Sequence, residues 1–597
     1  MSDLIDIATI DIFAGLDASA RSQVLAGLET RRLARGTVLI REGERADQIF
    51  VVLSGRFVVT RQDRVEPLNE IGAGQTIGEI AFFAGGVRTA TVTALRDSLV
   101  LCLAQAEYER LAERLPGLQR TVTAVLARRL ADASAGRHAP RDPRPRTIAL
   151  IGVGGRPVGE AFSKSLREAL GRTGKILWLD RAAVTTLLGA QVDFEIATTT
   201  ERLNALERAY DTLIYVADAE PNGWSLTCIR QADLALLVAH HADDPAPNAL
   251  EAAVTELLPA AQRRLVLLHP ERGEIQGTAR WLAHRDVAMH HHVALDQPED
   301  TARLVRFLHG TAVGLVAGGG GAFCVAHVGV YQALMEAGWA FDMLGGTSGG
   351  SAMTAAFAMG ASPADITAAI AEAFVANKAM RRYTIPRYGL IDHTHYDAQL
   401  MTLYGERLIE DLWLPWFSVS TNLSSNHLHL HRTGLLWQAV RASSAIPVLL
   451  PPFYTAEGEM LVDGGLIDNV PIEVMHGLKD GPNVVLSLEA PKLVHYHVNY
   501  AALPSRGALL KALLNPLRGT SSLPPAPGIG TVLLRALVAH RRDYERHLRA
   551  DDLHLKPPLP PEMGLLDWHR HRELTKAAHA WALEQLRSLK APGASLG

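Results

Sequence analysis

The stretch GLVAGGGGAFCVAHVGV, residues 314–330, places four consecutive glycines between an apolar run typical of a strand and an apolar-periodic run typical of a helix. Glycine admits the close approach of another group, and a helix N-terminus just behind it offers unpaired N–H donors. The stretch therefore predicts a strand, a turn and a helix that together hold an anion.

Two kinds of anion site share this design. A nucleotide phosphate would need GxxxxGK[ST], or GxGxxG with an acidic residue about 20 positions later. No Lys follows these glycines, and Cys324 stands where the last Gly of GxGxxG would fall. The other interpretation is an oxyanion hole, which requires a nucleophile close by.

A candidate nucleophile and a candidate base follow along the chain. Ser348 is the serine of Gly346-Thr347-Ser348-Gly349-Gly350, a GxSxG match between a short apolar run and an Ala-rich helical stretch. In such a strand-turn-helix setting the serine occupies a sharp elbow with its hydroxyl exposed. Asp463 ends the apolar run of EMLVDGGLIDNVP, residues 459–471, and is a candidate acid or base.

The ordered set GGGGA, GTSGG, RASSAIPVLLPPF and DGGLIDNVP resembles the patatin-like phospholipases, serine lipid hydrolases that use a Ser-Asp dyad. The resemblance implies Ser348 as nucleophile, Asp463 as general base, and the backbone of Gly319, Gly320 and Gly321 as the oxyanion hole. It also implies a phospholipid or lysophospholipid substrate, peripheral contact with a membrane surface, and no required metal or cofactor.

One departure from the family pattern GGGxRG keeps alternatives open. Phe323 and Cys324 stand where Arg and Gly are usual, and losing one oxyanion donor typically lowers turnover by ~10²–10³. The chain could therefore be a catalytically weakened nucleotide-sensing module. A Ser-His-Asp esterase with a downstream base such as His476 is a second alternative.

Length and composition limit the classes of protein. A chain of 597 residues is expected to hold several domains, and its net charge of −4 gives no reason to expect nucleic-acid binding. The N-terminus lacks the features of a signal peptide, no apolar run approaches the length of a membrane span, and the three cysteines have no metal or disulfide spacing. We expect a cytoplasmic protein, and self-association into a homo-oligomer stays open.

Residues 1–136 show short apolar segments punctuated by glycines and followed by a helical stretch, which predicts a β-roll. The segment IGEIAFFAGGVRTATV, residues 77–92, resembles the phosphate-binding cassette of cyclic-nucleotide-binding domains. This resemblance implies Gly78 for the turn, Glu79 for the ribose 2′-hydroxyl and Arg88, with Thr89 beside it, for the cyclic phosphate. A cyclic nucleotide, cAMP or cGMP, would then be an effector.

The fold class is therefore multidomain α+β and α/β, with five predicted segments. They are a cyclic-nucleotide-binding-like roll (1–136), a linker (137–146), a parallel α/β domain in which strand and helix patterns alternate (147–308), a patatin-like hydrolase domain (309–495) and a helical cover or membrane-docking segment (496–597). In the α/β domain, GVGG at 152–155 lacks phosphate-binding spacing, and the triplet His290 to His292 is predicted to be solvated. This order of domains resembles the neuropathy target esterase family.

Overall fold

The computed structural model describes most of the chain in two compact units. One unit comprises Met1–Gly273 with Arg280–His309, and the other comprises Glu274–Ala279 with Gly310–Gly597. The described residues are 17, 19, 23–24, 28–63, 68–115, 117–124, 127, 144–189, 192–194, 197–207, 209–488, 497–514, 526–528, 532, 543–560 and 563–587. Most of the predicted linker, and much of the predicted C-terminal segment between 515 and 542, lie outside these residues.

The first unit begins with a roll of two four-stranded antiparallel sheets, as the sequence predicts. Their orders are β1-β8-β3-β6 and β2-β7-β4-β5, and Val52, Phe57 and Val100 are fully buried in the roll. The elements are β1 (Glu29–Leu33), β2 (Val38–Ile40), β3 (Gln48–Ser54), β4 (Arg56–Thr60), β5 (Asn69–Gly72), β6 (Thr76–Ile77), α1 (Glu79–Ala84), β7 (Thr91–Ala94), β8 (Ser98–Ala104) and α2 (Gln105–Arg114).

The same unit contains a six-stranded, wholly parallel sheet in the order β10-β11-β9-β12-β13-β14, which confirms the predicted α/β layer. Every residue of β9 is buried, as expected for a parallel sheet covered on both faces. The elements are β9 (Thr147–Gly152), α3 (Glu160–Gly171), β10 (Ile176–Leu179), α4 (Arg181–Leu188), α5 (Ala197–Leu206), β11 (Thr212–Val216), α6 (Gly223–Gln231), β12 (Leu234–His240), α7 (Ala249–Leu257), β13 (Arg263–His269), α8 (Thr278–Leu282, the first two residues of which are assigned to the second unit), β14 (Met289–Ala294) and α9 (Pro298–Leu308).

The prediction that His290 to His292 are solvated is wrong. The triplet lies within β14, where His291 pairs with Val266 of β13, and both His291 and His292 are buried. Burial lowers the pKa of His291 well below its ordinary value, so this imidazole is neutral. A neutral imidazole can occupy a buried strand among apolar neighbours. The strand was not predicted because three consecutive histidines interrupt its apolar pattern.

A buried charge cluster joins the roll to the α/β layer within the first unit. The Arg96 guanidinium, just after β7, donates to both carboxylate oxygens of Glu207 at 2.6 Å and 2.7 Å. It also donates to Thr147 Oγ1 at 3.2 Å, and it lies 4.0 Å from the Asp233 carboxylate. Because Arg96 follows β7, the strand directly after the predicted cassette, a short stretch of chain connects the cassette to the α/β layer.

We expect Arg96→Ala to lower the free energy of unfolding by about 3–5 kcal/mol, because the variant leaves the Glu207 carboxylate buried without its guanidinium partner. Urea denaturation followed by circular dichroism measures the change. The matched control is Arg61→Ala, which removes an exposed pair with Asp63 and should keep the wild-type midpoint. A wild-type midpoint for Arg96→Ala as well would contradict a stabilising role for this cluster.

The second unit is built on an eight-stranded sheet in the order β19-β20-β17-β16-β15-β21-β22, with β18 paired to β17 outside this path. Neighbouring strands from β17 to β22 along that order are parallel, and β20 runs antiparallel to β17. The strands are β15 (Gly314–Ala317), β16 (Met343–Thr347), β17 (Trp416–Asn422), β18 (His427–His431), β19 (Phe453–Tyr454), β20 (Met460–Asp463), β21 (Asn483–Leu486) and β22 (Leu553–Leu555).

Helices cover this second sheet. A Cβ on Gly329 of α10 would lie 2.1 Å from the Thr575 carbonyl oxygen, so the glycine lets the C-terminal helix α17 pack against the backbone of α10. The helices are α10 (Val325–Glu336), α11 (Gly349–Ala358), α12 (Pro363–Ile370), α13 (His393–Tyr404), α14 (Leu436–Ser443), α15 (Ile472–Leu478), α16 (Arg506–Leu514) and α17 (His571–Leu586). Among the helices in the described residues, none has both the length and the apolar composition needed to span a bilayer.

Candidate active site

Ser348 lies at the sharp turn between β16 and α11, at the carboxyl end of the parallel strands. Its backbone angles, φ 54° and ψ −127°, fall in a region that residues other than glycine rarely adopt. A Cβ on Gly346 or Gly350 would lie 2.7 Å or 2.2 Å from the Ala317 carbonyl oxygen, so glycines are needed on both sides. This conformation is typical of a nucleophile elbow, which exposes the serine hydroxyl above the sheet.

Asp463 ends β20 beside this elbow. Ser348 Oγ donates a hydrogen bond to Asp463 Oδ2 at 2.6 Å, and the Gly465 amide donates to Oδ1 at 2.8 Å. Strand β17 lies between β16 and β20, and its Ser420 pairs directly opposite Asp463. The sheet thus brings together two residues that are 115 positions apart. Their exposed fractions are 5% and 8%, so few waters compete for this hydrogen bond.

The glycine loop after β15 contacts the serine. A Cβ on Gly319 would lie 2.9 Å from Ser348 Cβ, which explains the need for glycine there. The Gly319 amide already donates to the Asn469 carbonyl oxygen at 3.1 Å. Within the described part of the chain, the amides of Gly320 and Gly321 have no hydrogen-bond acceptor. These two amides are therefore the donors in the loop that are available to an oxyanion.

Three side chains that the sequence analysis did not single out hold this geometry. Asn469 Nδ2 donates to the Gly319 carbonyl at 3.3 Å, and the buried His327 contacts the Gly318 carbonyl through Nε2 at 2.9 Å. Burial lowers the pKa of His327 to about 4, so the ring is neutral near pH 7. Ser443 Oγ accepts from the Ser348 amide at 2.9 Å. All three residues lie within motifs recognised in the sequence, but their contacts depend on the fold.

The two unusual residues of the glycine loop occupy space beside it. Cys324 is fully buried, and a Cβ on Gly349 would lie 2.6 Å from its Sγ. The Cys324 Sγ also lies 3.5 Å from the Gly318 carbonyl oxygen, while Phe323 packs against the apolar core. Among the described residues, the amides of Gly320 and Gly321 donate to neither Phe323 nor Cys324, so the departure from GGGxRG does not occupy these candidate donors.

An apolar cavity of about 180 Å³ opens beside Ser348. Ser348 and Gly321 form part of its wall, and Trp568 stacks on Phe374 with ring centroids 3.9 Å apart. Apolar side chains provide most of the remaining wall: Met353, Met359, Ile366, Ile370, Met380, Leu400, Leu403, Ile446 and Leu566. A cavity with mostly apolar walls can hold a hydrocarbon chain, with one end of that chain next to the Ser348 hydroxyl.

The alternative base His476 lies elsewhere. Its Nε2 is 3.1 Å from Asp552 Oδ2, and Asp552 Oδ1 accepts from the Asn483 side chain at 2.8 Å. Asn483 is the first residue of β21 and pairs with Gly314, the first residue of β15, so it lies at the amino ends of the parallel strands. Ser348 instead follows the carboxyl end of β16. His476 therefore lies at the amino ends of the strands, whereas the nucleophile lies at their carboxyl ends, and His476 does not contact Ser348.

The predicted cassette of the roll has the expected turn. Gly78 has a left-handed φ of 83°, and Glu79 and Arg88 are both buried, whereas Thr89 is exposed. The Arg88 guanidinium donates to the carbonyls of Gly78 at 2.9 Å and Gln48 at 2.5 Å. A guanidinium has five N–H donors, so these two bonds leave capacity for a phosphate. Burial lowers the pKa of Arg88 below its ordinary value.

Three family models match successive parts of the chain. They are the cyclic nucleotide-binding domain over residues 30–114, the neuropathy target esterase family P-loop like domain over residues 145–314, and the patatin-like phospholipase over residues 315–476. The last match contains both Ser348 and Asp463. Together with the nucleophile elbow, it identifies residues 315–476 of the second unit as a patatin-like domain.

Comparisons with individual proteins over most of this chain extend this classification. A protein of Mycobacterium bovis described as an uncharacterized NTE family protein is 32% identical, over 89% of this chain and 87% of its own length. The chain belongs to the neuropathy target esterase (NTE) family. It is also similar to lysophospholipase nte1 of Aspergillus fumigatus, with 28% identity over 95% of this chain and 42% of the fungal protein. The chain thus spans about two fifths of the length of that lysophospholipase.

Among solved structures, the N-terminal domain of a transcriptional regulator from Streptomyces coelicolor A3(2) is similar to part of this chain. The similarity covers 22% of this chain and 99% of the regulator domain, with 30% identity and a TM-score of 0.21.

Proposed function

We propose that this chain hydrolyses the acyl ester of lysophospholipids or phospholipids through a dyad of Ser348 and Asp463. The observation that carries the proposal is the 2.6 Å hydrogen bond from Ser348 Oγ to Asp463 Oδ2 at the wall of an apolar cavity. The lysophospholipase named among the relatives supports the same reaction class. The dyad supplies a nucleophile with an adjacent base, as covalent catalysis of acyl transfer requires.

In the acylation step, Ser348 Oγ attacks the carbonyl carbon of the ester while its proton passes to Asp463 Oδ2. The carbonyl oxygen becomes an oxyanion and accepts hydrogen bonds from the amides of Gly320 and Gly321. Collapse of the tetrahedral intermediate breaks the bond between the carbonyl carbon and the glycerol oxygen. Asp463 returns the proton to that oxygen, so the alcohol leaves neutral.

In the deacylation step, water attacks the acyl-serine ester. Asp463 takes a proton from the water, and the same two amides hold the second oxyanion. The bond to Ser348 Oγ then breaks, the proton returns to the serine, and a fatty acid is released. The Gly465 amide holds Asp463 Oδ1 through both steps, so Oδ2 stays directed at Ser348.

The apolar cavity supports an acyl chain as the part of the substrate that the protein buries. Lipids with such chains reside in micelles or bilayers, so we propose that the protein takes its substrate from a lipid aggregate while bound peripherally to it. The test of the function is a panel of lysophospholipids and phospholipids given to the purified chain, with fatty acid release as readout. The absence of release from every lipid would overturn the proposal.

We further propose that a cyclic nucleotide is an effector that binds the roll. The family-model match over residues 30–114 and the donors left on the Arg88 guanidinium support this proposal. The stretch from the cassette through β7 to Arg96, which bonds to Glu207, would carry a change in the roll to the α/β layer. A ligand alters activity only if it binds one arrangement of the chain better than another.

We expect the full chain to bind cAMP or cGMP in a calorimetric titration, and Arg88→Ala to weaken this binding by at least about tenfold, because charge-assisted hydrogen bonds to the phosphate are lost. Arg61→Ala removes an exposed guanidinium of the same roll and serves as the matched control. A thermal melt checks that each variant is folded. No heat from the wild-type chain at millimolar nucleotide would remove the effector role.

A further inference from the structure

One segment of the second unit exposes bulky apolar side chains to an unusual degree. Residues 381–388, RRYTIPRY, are all exposed, and we name them the rim loop. Tyr383, Ile385 and Tyr388 have exposed fractions of 75%, 85% and 72%. Single exposed apolar residues are common on protein surfaces, but three large ones within six positions form a patch that marks an interaction surface.

The rim loop is attached to the wall of the apolar cavity at both ends. Met380, immediately before it, lines the cavity. After the loop, the amides of Leu390 and Ile391 each donate at 2.9 Å to the carbonyls of Val448 and Leu449, which follow the cavity residue Ile446. The loop therefore lies where the cavity that contains Ser348 meets the protein surface.

Residue 448 extends the patch across this hydrogen-bonded junction. Val448 has a φ of 72°, which is a strained conformation for a β-branched residue, and its side chain is exposed. Tyr454, a few residues further along, is also exposed. A second segment, hydrogen-bonded to the end of the rim loop at Val448, thus also exposes apolar side chains.

The segment that contains the rim loop carries only positive charge. Residues 378–391 contain Lys378, Arg381, Arg382 and Arg387 and no Asp or Glu. Arg387 lies over the Tyr388 ring at 5.3 Å, and Arg381 is 3.8 Å from the Asp567 carboxylate, a long ion pair at the surface. Basic residues interleaved with tyrosines and an isoleucine match the interface of an anionic bilayer, where tyrosine rings sit at headgroup depth and guanidinium groups reach the phosphates.

We propose that the rim loop is the surface by which this chain docks on an anionic lipid bilayer. Ile385 and the two tyrosines enter the boundary between headgroups and acyl chains, while the arginines bind lipid phosphates. Docking here places the mouth of the Ser348 cavity against the bilayer, and in this sense the inference rests on the proposed lipid hydrolysis. The docking itself can be measured without any hydrolysis.

Vesicle flotation with the inactive Ser348→Ala chain tests the proposal. We expect flotation with vesicles of phosphatidylcholine and phosphatidylglycerol, and much less with phosphatidylcholine alone. Adding Ile385→Asp should weaken binding by at least about tenfold, because a charge replaces the residue that enters the bilayer. The double change Arg382→Glu and Arg387→Glu should weaken binding by at least about fivefold per site, and only to the anionic vesicles.

Matched controls place the same changes elsewhere on the second unit. Met335→Asp alters an exposed apolar residue of α10, and Arg572→Glu alters an exposed arginine of α17. Both should float as the parent does, and thermal melts confirm that all variants are folded. Unchanged flotation of Ile385→Asp, or equal loss with Met335→Asp, would overturn the proposal.

Failure of docking and failure of the proposed function give different results. A wild-type chain that releases fatty acid from micellar lysophospholipid but never floats would overturn docking alone. A chain that floats through Ile385 but hydrolyses no lipid would overturn the function alone. Light scattering without vesicles tests whether a second copy of the chain binds the rim loop instead. If the chain self-associates, Ile385→Asp abolishes this association, and the chain does not float with vesicles, the docking proposal is overturned and the rim loop is a contact between copies.

Discussion

Ser348→Ala is expected to lower fatty acid release by at least about 10³-fold, because no other group can form the acyl intermediate once the hydroxyl is removed. The variant should also stop reacting with a fluorophosphonate probe, which labels activated serines. The fold should remain intact, since alanine keeps the backbone amide that donates to Ser443 Oγ. Mass spectrometry of the labelled wild-type chain should place the probe on Ser348.

A matched control separates activation from mere exposure. Ser425, in the turn between β17 and β18, is exposed, whereas Ser348 is buried and bonded to Asp463. Ser425→Ala should therefore retain full labelling and full release of fatty acid. Labelling of Ser348→Ala at the wild-type level would show that the reactive serine lies elsewhere and would end the assignment of the elbow.

Much of the fold was predictable because it depends on local patterns. The glycine-punctuated segments gave the roll, and the alternation of apolar runs with helical stretches gave the parallel layer. The strand β14 escaped prediction because His290 to His292 interrupt its apolar pattern. Its identity as a strand comes from pairing with β13, a tertiary contact that the local sequence does not encode.

The candidate site also contains some features that were predictable from local sequence and others that were not. Ser348 and Asp463 stand in recognisable motifs, and the sequence alone suggested them. Which loop amides are free could not be predicted, because the Gly319 amide is taken by Asn469, a residue 150 positions away. The rim loop was not predicted either, since its importance depends on solvent exposure and on where its ends are anchored.

The identity of the general base distinguishes a Ser-Asp dyad from a Ser-His-Asp triad. Removing Ser348 does not distinguish them, because either mechanism would lose activity without it. We expect Asp463→Asn to lower fatty acid release by at least about 10²-fold, since an amide cannot take the serine proton. The change is nearly isosteric, and the amide oxygen can still accept from the Gly465 amide, so the loop should keep its shape.

His476→Gln supplies the contrast. Glutamine can still donate to Asp552, so the hydrogen bond at the far end of the sheet is kept, together with the contact with β21 through Asn483. Because His476 does not contact Ser348, we expect this variant to hydrolyse lysophospholipid at nearly the wild-type rate. Steady-state kcat and kcat/KM for both variants, with thermal melts as a folding check, decide between the two bases. Activity of Asp463→Asn within about tenfold of wild type, with loss in His476→Gln, would replace the dyad by a histidine mechanism.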